Sequence, residues 1–190
     1  MRAPYSTASR PDSAGRPRWG ASGSFGRDRH PHHDHTITTP DRYSREGILA
    51  FAEQFPFFRL IGIQVIDIAP GWSKTRLEHR PDLTQPAGIM HGGVIASLID
   101  SGIAHALLMT DRFQELREQR GALVSVDLRV KFLRPVSGAA IFCESTVVRL
   151  GRHIVHAEAI VTSEDGKEVA RGDAIYMAVP GDQIERGAGG

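Results

Sequence analysis

One segment restricts the fold of this chain more than any other: Ala87-Gly-Ile-Met-His-Gly-Gly-Val-Ile-Ala-Ser-Leu-Ile-Asp100. From Val94 to Met109 the only polar side chains are Ser97, Asp100, Ser101 and His105. A helix apolar on all sides belongs in a core, so a helix enclosed on every side is expected from about His91 to Met109. A carboxylate in such a helix needs a partner or a task, which singles out Asp100. Gly92 and Gly93 carry no side chains, so the first-turn amides are expected to stand bare at the positive end of the helix dipole, open to a ligand oxygen. A bare helix N-terminus plus a buried acid describes a site that polarises an electrophile beside a base or nucleophile.

The surrounding pattern predicts an α+β fold. Ser44 as N-cap, followed by Ile48, Leu49, Ala52 and Phe55, predicts an amphipathic helix from Ser44 to about Phe55. Ile61 to Ile68 and Trp72 to Glu78 alternate around Pro70-Gly71 as a hairpin, and Pro81 to Met90 is expected to be a loop. After the apolar helix, the charged segment from Asp111 to Gly121 leads out to strands at Leu123 to Leu133, Ala139 to Leu150, His153 to Thr162 and Glu168 to Val179. Alternation in the first of these puts Val124, Val126, Leu128, Val130 and Phe132 on one face, with Ser125 turned outward. The result is an antiparallel sheet wrapped around one long central helix.

Length and composition set outer bounds. The 190 residues suffice for one domain with a proper core. Residues 1–40 are rich in Ser, Gly, Pro and Arg and nearly free of aliphatics, so they are expected to be a disordered tail. The domain is expected at 41–180, with a flexible tail at 181–190. Of the net charge of +1, the first forty residues hold +3 through six Arg and three Asp, leaving −2 on the remainder. That balance argues against a nucleic-acid-binding core, and no apolar run reaches the ~18–20 residues of a membrane span. A single cysteine, Cys143, excludes an intramolecular disulfide and points to a reducing, cytoplasmic setting; its place on a strand makes it a small core residue rather than a catalytic thiol. His30, His32, His33 and His35 could ligate a metal but lack a rigid frame, and no metal site is assigned to them.

Thr84-Gln-Pro-Ala-Gly-Ile-Met-His-Gly-Gly…Asp100, with Val124-Ser-Val-Asp and Phe132-Leu-Arg-Pro135, resembles the PaaI-like branch of the hotdog-fold acyl-CoA thioesterases over about Phe55 to Val179. The resemblance implies a hotdog fold, hydrolysis of an acyl-CoA thioester, no cofactor beyond the coenzyme A of the substrate, and a catalytic Asp100. It also implies a positioning role for Ser125. Gln85 stands where relatives often carry Asn.

Helical geometry adds a constraint of its own. Gly92 and Asp100 are eight residues apart, about 12 Å along a helix axis. One thioester carbonyl cannot meet both within one chain, so a shared site demands a homodimer at least, with a homotetramer as its larger form. In that site the Gly92 N–H would hold the carbonyl oxygen, Asp100 of the other copy would activate water or attack the carbonyl, and His91 could donate to substrate. Coenzyme A carries phosphates, for which Gly93, Arg134, Lys131, Arg129 and Arg152 are the candidates. His105, about 140° round the helix from Asp100, is expected to be a satisfied core or interface residue.

Two rival functions are weighed against this reading. One is a hotdog enoyl-CoA hydratase or dehydratase, suggested by Asp100 and His105 but lacking the Gly-Asp-x-Asn-Pro loop of those relatives. The other is a non-catalytic acyl-CoA-binding regulator, which would be expected to append a DNA-binding helix-turn-helix. No Gly-x-Ser-x-Gly elbow is present for a serine hydrolase.

Overall fold

The computed structural model describes residues 41–187, so the expectations for residues 1–40 and 188–190 lie outside the described residues. Six strands form one antiparallel sheet in the order β1-β2-β4-β5-β6-β3: β1 Ile63–Ala69, β2 Trp72–Leu77, β3 Ala122–Phe132, β4 Ile141–Leu150, β5 Ile154–Ser163 and β6 Glu168–Val179. A seventeen-residue helix, α3, Gly92–Leu108, packs on one face and touches all six strands. This is the α+β hotdog arrangement. Leu98, Ile99, Ile103 and Leu107 of α3 meet Leu77, Ile141, Val155 and Val161 of the sheet in a core closed to solvent.

Two glycines let helix and sheet approach this closely. A Cβ on Gly102 of α3 would sit 2.6 Å from Ser145 Oγ, and one on Gly172 of β6 would sit 2.5 Å from Ile99 Cγ2. Around Gly102 the sheet presents only small residues, Ser73, Thr75, Cys143 and Ser145, and Ser73 donates to the Gly102 carbonyl at 2.7 Å. Cys143 is buried there, and burial pushes its thiol up to about 11, as suits a core residue.

The first helix, α1, Arg45–Gln54, starts where Ser44 caps it by accepting from the Gly47 N–H. Arg45 docks it to β1 through two hydrogen bonds to Asp67. Four features differ from the sequence reading. Pro56 restarts the chain as a short helix, α2, Pro56–Ile61, which Gly62 ends in the left-handed region at φ 84°. The loop before α3 contains a 3₁₀ turn, Pro81–Leu83. Asp111–Glu118 is a helix, α4, capped by Thr110 and anchored by the buried Leu116; it bends 80° away from α3. Gly181–Gly187 forms a short helix, α5, in the segment expected to be a flexible tail.

The fifth difference alters the site. β3 slips register against β6 between Ser125 and Asp127, so a bulge at Val126 reverses the alternation of the strand. After the bulge Leu128 and Val130 face the helix; before it Leu123 and Ser125 do, while Val124 faces out. Ser125 is therefore opposite Tyr176 on the inner face, not turned outward as expected. Among the described residues no single helix is long and apolar enough to cross a membrane.

Candidate active site

Helix α3 carries two functional groups at different heights. At its start His91 is the N-cap: the His91 N–H donates to the Leu83 carbonyl, and its Nδ1 accepts from the Gly93 N–H at 2.9 Å. The expectation of two bare amides is thus half corrected, because Gly93 spends its N–H on His91. Accepting at Nδ1 places the proton of neutral His91 on Nε2, leaving an exposed donor. The Gly92 N–H has no acceptor among the described residues. It opens on a cleft of about 550 Å³ that also gathers Gln85, His91, Phe132 and Arg134. Gln85 opens a tight turn, its carbonyl accepting from the Gly88 N–H at 2.9 Å, and Gly88 makes that turn possible with φ 76°. Arg134 reaches the Glu168 carbonyl from the end of β3.

Two turns further along α3, Asp100 opens on a different cavity. The carboxylate is only half-buried, a correction to the enclosed acid read from the sequence: Ser97, Asp100, Ala104 and Leu108 form a stripe of α3 that the sheet leaves partly open. The cavity beside it measures about 460 Å³ and is walled by aromatic side chains. Tyr176, buried on β6, donates its hydroxyl to Asp100 Oδ1 at 2.7 Å and lies 3.0 Å from the Asp100 carbonyl. Burial and the neighbouring Asp100 charge push the phenol above its ordinary value, with Ser125 pulling the other way, so Tyr176 stays a donor. Ser125, Tyr176 and Asp100 thus form one polar chain from β3 to α3.

Tyr176 was missed in the sequence. Its signal was present in the alternation of β6, which puts Ala174, Tyr176 and Ala178 on the inner face, but its partner lies 76 residues earlier.

His105, one turn past Ser101, donates Nδ1–H to the Ser101 carbonyl at 2.8 Å and packs against Phe58 with ring centroids 5.3 Å apart. Burial holds its imidazole below the ordinary range, so it is a neutral wall of the Asp100 cavity.

Of the other basic candidates, Arg129 pairs with Asp127 at 2.7 Å on the outer face of the sheet. Lys131 sits on that same face, opposite Arg171. Arg152 borders a hollow with Asp111, Arg112 and Glu115, beyond the C-terminus of α3. Within one chain only Arg134 joins Gly92. Among the described residues no group of three His, Cys, Asp or Glu is placed to hold a metal.

Comparison with known proteins places this hotdog fold in the thioesterase class. A sequence model of the thioesterase superfamily matches residues 87–170, which span both Gly92 and Asp100. The phenylacetic acid degradation protein PaaI of Thermus thermophilus, solved as a mutant, is 30% identical, with 98% of its chain and 65% of this one covered at a TM-score of 0.55. The PaaI protein of Escherichia coli shares the fold at 21% identity and a TM-score of 0.62, covering 72% of this chain and 93% of its own. The medium/long-chain acyl-CoA thioesterase YigI of Salmonella typhimurium is 28% identical over 139 residues, 67% of this chain and 88% of that protein. The chain belongs to the PaaI-like branch of the hotdog thioesterase superfamily.

Proposed function

We propose that this protein hydrolyses an acyl-CoA thioester at a site assembled from two copies of the chain. Thioester hydrolysis is the chemistry of the superfamily; the substrate, the residue roles and the assembly are the proposal. The observation that carries it is the placement of a free Gly92 N–H and a Tyr176-held Asp100 carboxylate on one helix, each opening on its own cavity. Within one chain the two are about 12 Å apart along the axis, so a two-fold partner must bring the second half.

In the shared site the thioester carbonyl oxygen accepts from Gly92 of one copy, with the Nε2–H of His91 and the amide of Gln85 nearby. Asp100 of the other copy then acts in one of two ways. It takes a proton from a water whose oxygen bonds to the carbonyl carbon, or it bonds to that carbon itself and forms an anhydride that water opens. In both routes the carbonyl electrons move onto the oxygen held by Gly92. On collapse the C–S bond breaks, the thiolate of coenzyme A leaves and takes up a proton, and the free acid remains. The oxyanion donor is worth most as charge develops there. Arg134 at the cleft rim suits a phosphate of coenzyme A, with Gly93, Lys131, Arg129 and Arg152 as further candidates in the assembly. No cofactor beyond the substrate's own coenzyme A enters these steps.

The free edge of β3 supports the dimer. β3 ends the sheet, its outer edge has no partner strand among the described residues, and it exposes Val124, Val126 and Phe132. An unpaired, apolar edge invites a second strand.

The test is thiol release from aryl-, short-, medium- and long-chain acyl-CoAs, with enoyl-CoA hydration assayed in parallel. Thiol release supports the proposal. Hydration without thiol release makes the protein a hydratase, and tight binding with neither reaction makes it a regulator.

A further inference from the structure

We propose that the aromatic cavity beside Asp100 is the acyl-chain site and that it selects an apolar, medium-chain acyl group of about ten carbons; this rests on the thioesterase reading above. Among the described residues Asp100 is its one carboxylate, so a carbonyl held against Asp100 has its tail directed into this cavity. Along α3 the cavity wall continues from Asp100 through Ala104 to Leu108, one and two turns on. That is an apolar run of about 12 Å. An extended alkyl chain advances about 1.25 Å per bond, which sets the length at about ten carbons. Volume agrees: about 460 Å³ is roughly three times the cavity that takes one benzene. A phenylacetyl group would leave much of it empty.

The facing wall comes from α1, α2 and α4. Phe51, Phe55, Phe58 and Phe113 line it, and Phe55 and Phe58 meet edge to face at 5.2 Å. Phe51 is 46% exposed, a large aromatic face open to the cavity. An apolar surface left open around a reacting group calls for an apolar ligand. Three other titratable groups border the cavity, one of them Tyr43, whose ring centre lies 3.9 Å from the Arg117 guanidinium. Arg42 lies with its guanidinium 4.6 Å from the centre of the Phe51 ring, and His105 spends its Nδ1–H on Ser101. The residues of α1 and α2 precede the stretch matched by the superfamily, residues 87–170. The aromatic wall from α1 and α2 thus lies outside the matched segment, while Ala104, Leu108 and Phe113 of the same cavity lie within it.

The full-length protein is assayed for kcat/KM on straight-chain acyl-CoAs from two to sixteen carbons and on phenylacetyl-CoA. The profile is expected to peak near decanoyl-CoA, at least about tenfold above acetyl-CoA and phenylacetyl-CoA. Ala104→Phe, which fills the run one turn past Asp100, is expected to cut decanoyl-CoA by at least about tenfold and to move the peak to shorter chains. Phe51→Ala removes an exposed wall and serves where Ala104→Phe fails to fold; it should lower decanoyl-CoA more than butyryl-CoA. Binding to Asp100→Asn by calorimetry separates the pocket from the chemistry, with decanoyl-CoA expected to bind at least about tenfold tighter than acetyl-CoA and to lose that advantage with Ala104→Phe. A flat chain-length profile, or an unshifted one in the folded variants, overturns the acyl site. Absence of turnover with every thioester overturns the thioesterase reading instead, and the calorimetric difference then still decides the pocket.

Discussion

Tyr176 holds Asp100: its hydroxyl donates to Oδ1 at 2.7 Å from the strand that faces the middle of α3. The hydrogen bond fixes one carboxylate oxygen of a residue that lines the aromatic cavity. Ser125, brought to the inner face by the bulge at Val126, sits beside the same hydroxyl. Tyr176→Phe keeps the ring in its packing and removes only this donor. It is expected to lower kcat by about tenfold to a hundredfold, the scale of losing orientation at a reacting group, with KM for acyl-CoA little changed. A kcat equal to wild type would show that Asp100 needs no holding.

Among the described residues of one chain, Arg134 is the only basic candidate at the Gly92 cleft. It is exposed, so its interaction with a phosphate is screened and of modest strength. Arg134→Ala is expected to raise KM for acyl-CoA by about threefold to tenfold with kcat unchanged. The matching acyl-pantetheine thioester, which has no phosphate, should show no such change. An equal rise in KM for both substrates would assign Arg134 to the cleft's structure rather than to phosphate.

His105 links stability to pH. Burial lowers its pKa in the folded protein, offset in part by the bond to the Ser101 carbonyl. The unfolded chain takes up a proton near ~6.5 while the folded protein stays neutral, so the unfolded state binds more protons as the pH falls. The stability contribution is therefore complete above about pH 6.5 and is lost as the pH drops below it. Thermal melts from pH 7.5 to 5 should fall more steeply for wild type than for His105→Phe. Parallel slopes would mean that His105 titrates alike in both states.

The legibility of this chain divides along local and non-local lines. The start of α1 at Ser44 and the extent of α3 could be read because caps and apolar period are local signals. α2 hides because six residues are too few to show a period, and α4 because one buried leucine, Leu116, carries its packing under a charged surface. The bulge at Val126 left no trace, since valine on both sides of Ser125 continues a perfect alternation; its cause is pairing with β6. Gly92 and Asp100 stood out in the sequence as a bare helix start and a lone acid in an apolar helix, and the structure places them at the two cavities, while their shared chemistry is the proposal. The Tyr176 contact was not, because it joins α3 to a strand 76 residues later.

The sharing of one site between two chains is tested most directly by mixing subunits. Gly92→Pro removes the polarising N–H at a first-turn position where Pro is tolerated. The ring of Phe132, which lies 3.1 Å from where a Cβ would stand, is exposed and free to yield. Asp100→Asn removes the charge and keeps the shape. Each variant alone is expected to lose at least ~10²-fold in kcat. After dissociation and random reassociation, half the dimers are mixed, and each mixed dimer contains one site with both groups intact, so activity should return to about a quarter of wild type. Verified mixed dimers with no recovered activity would mean that each chain builds its own site, and the pairing of Gly92 with Asp100 across the two-fold axis would be wrong.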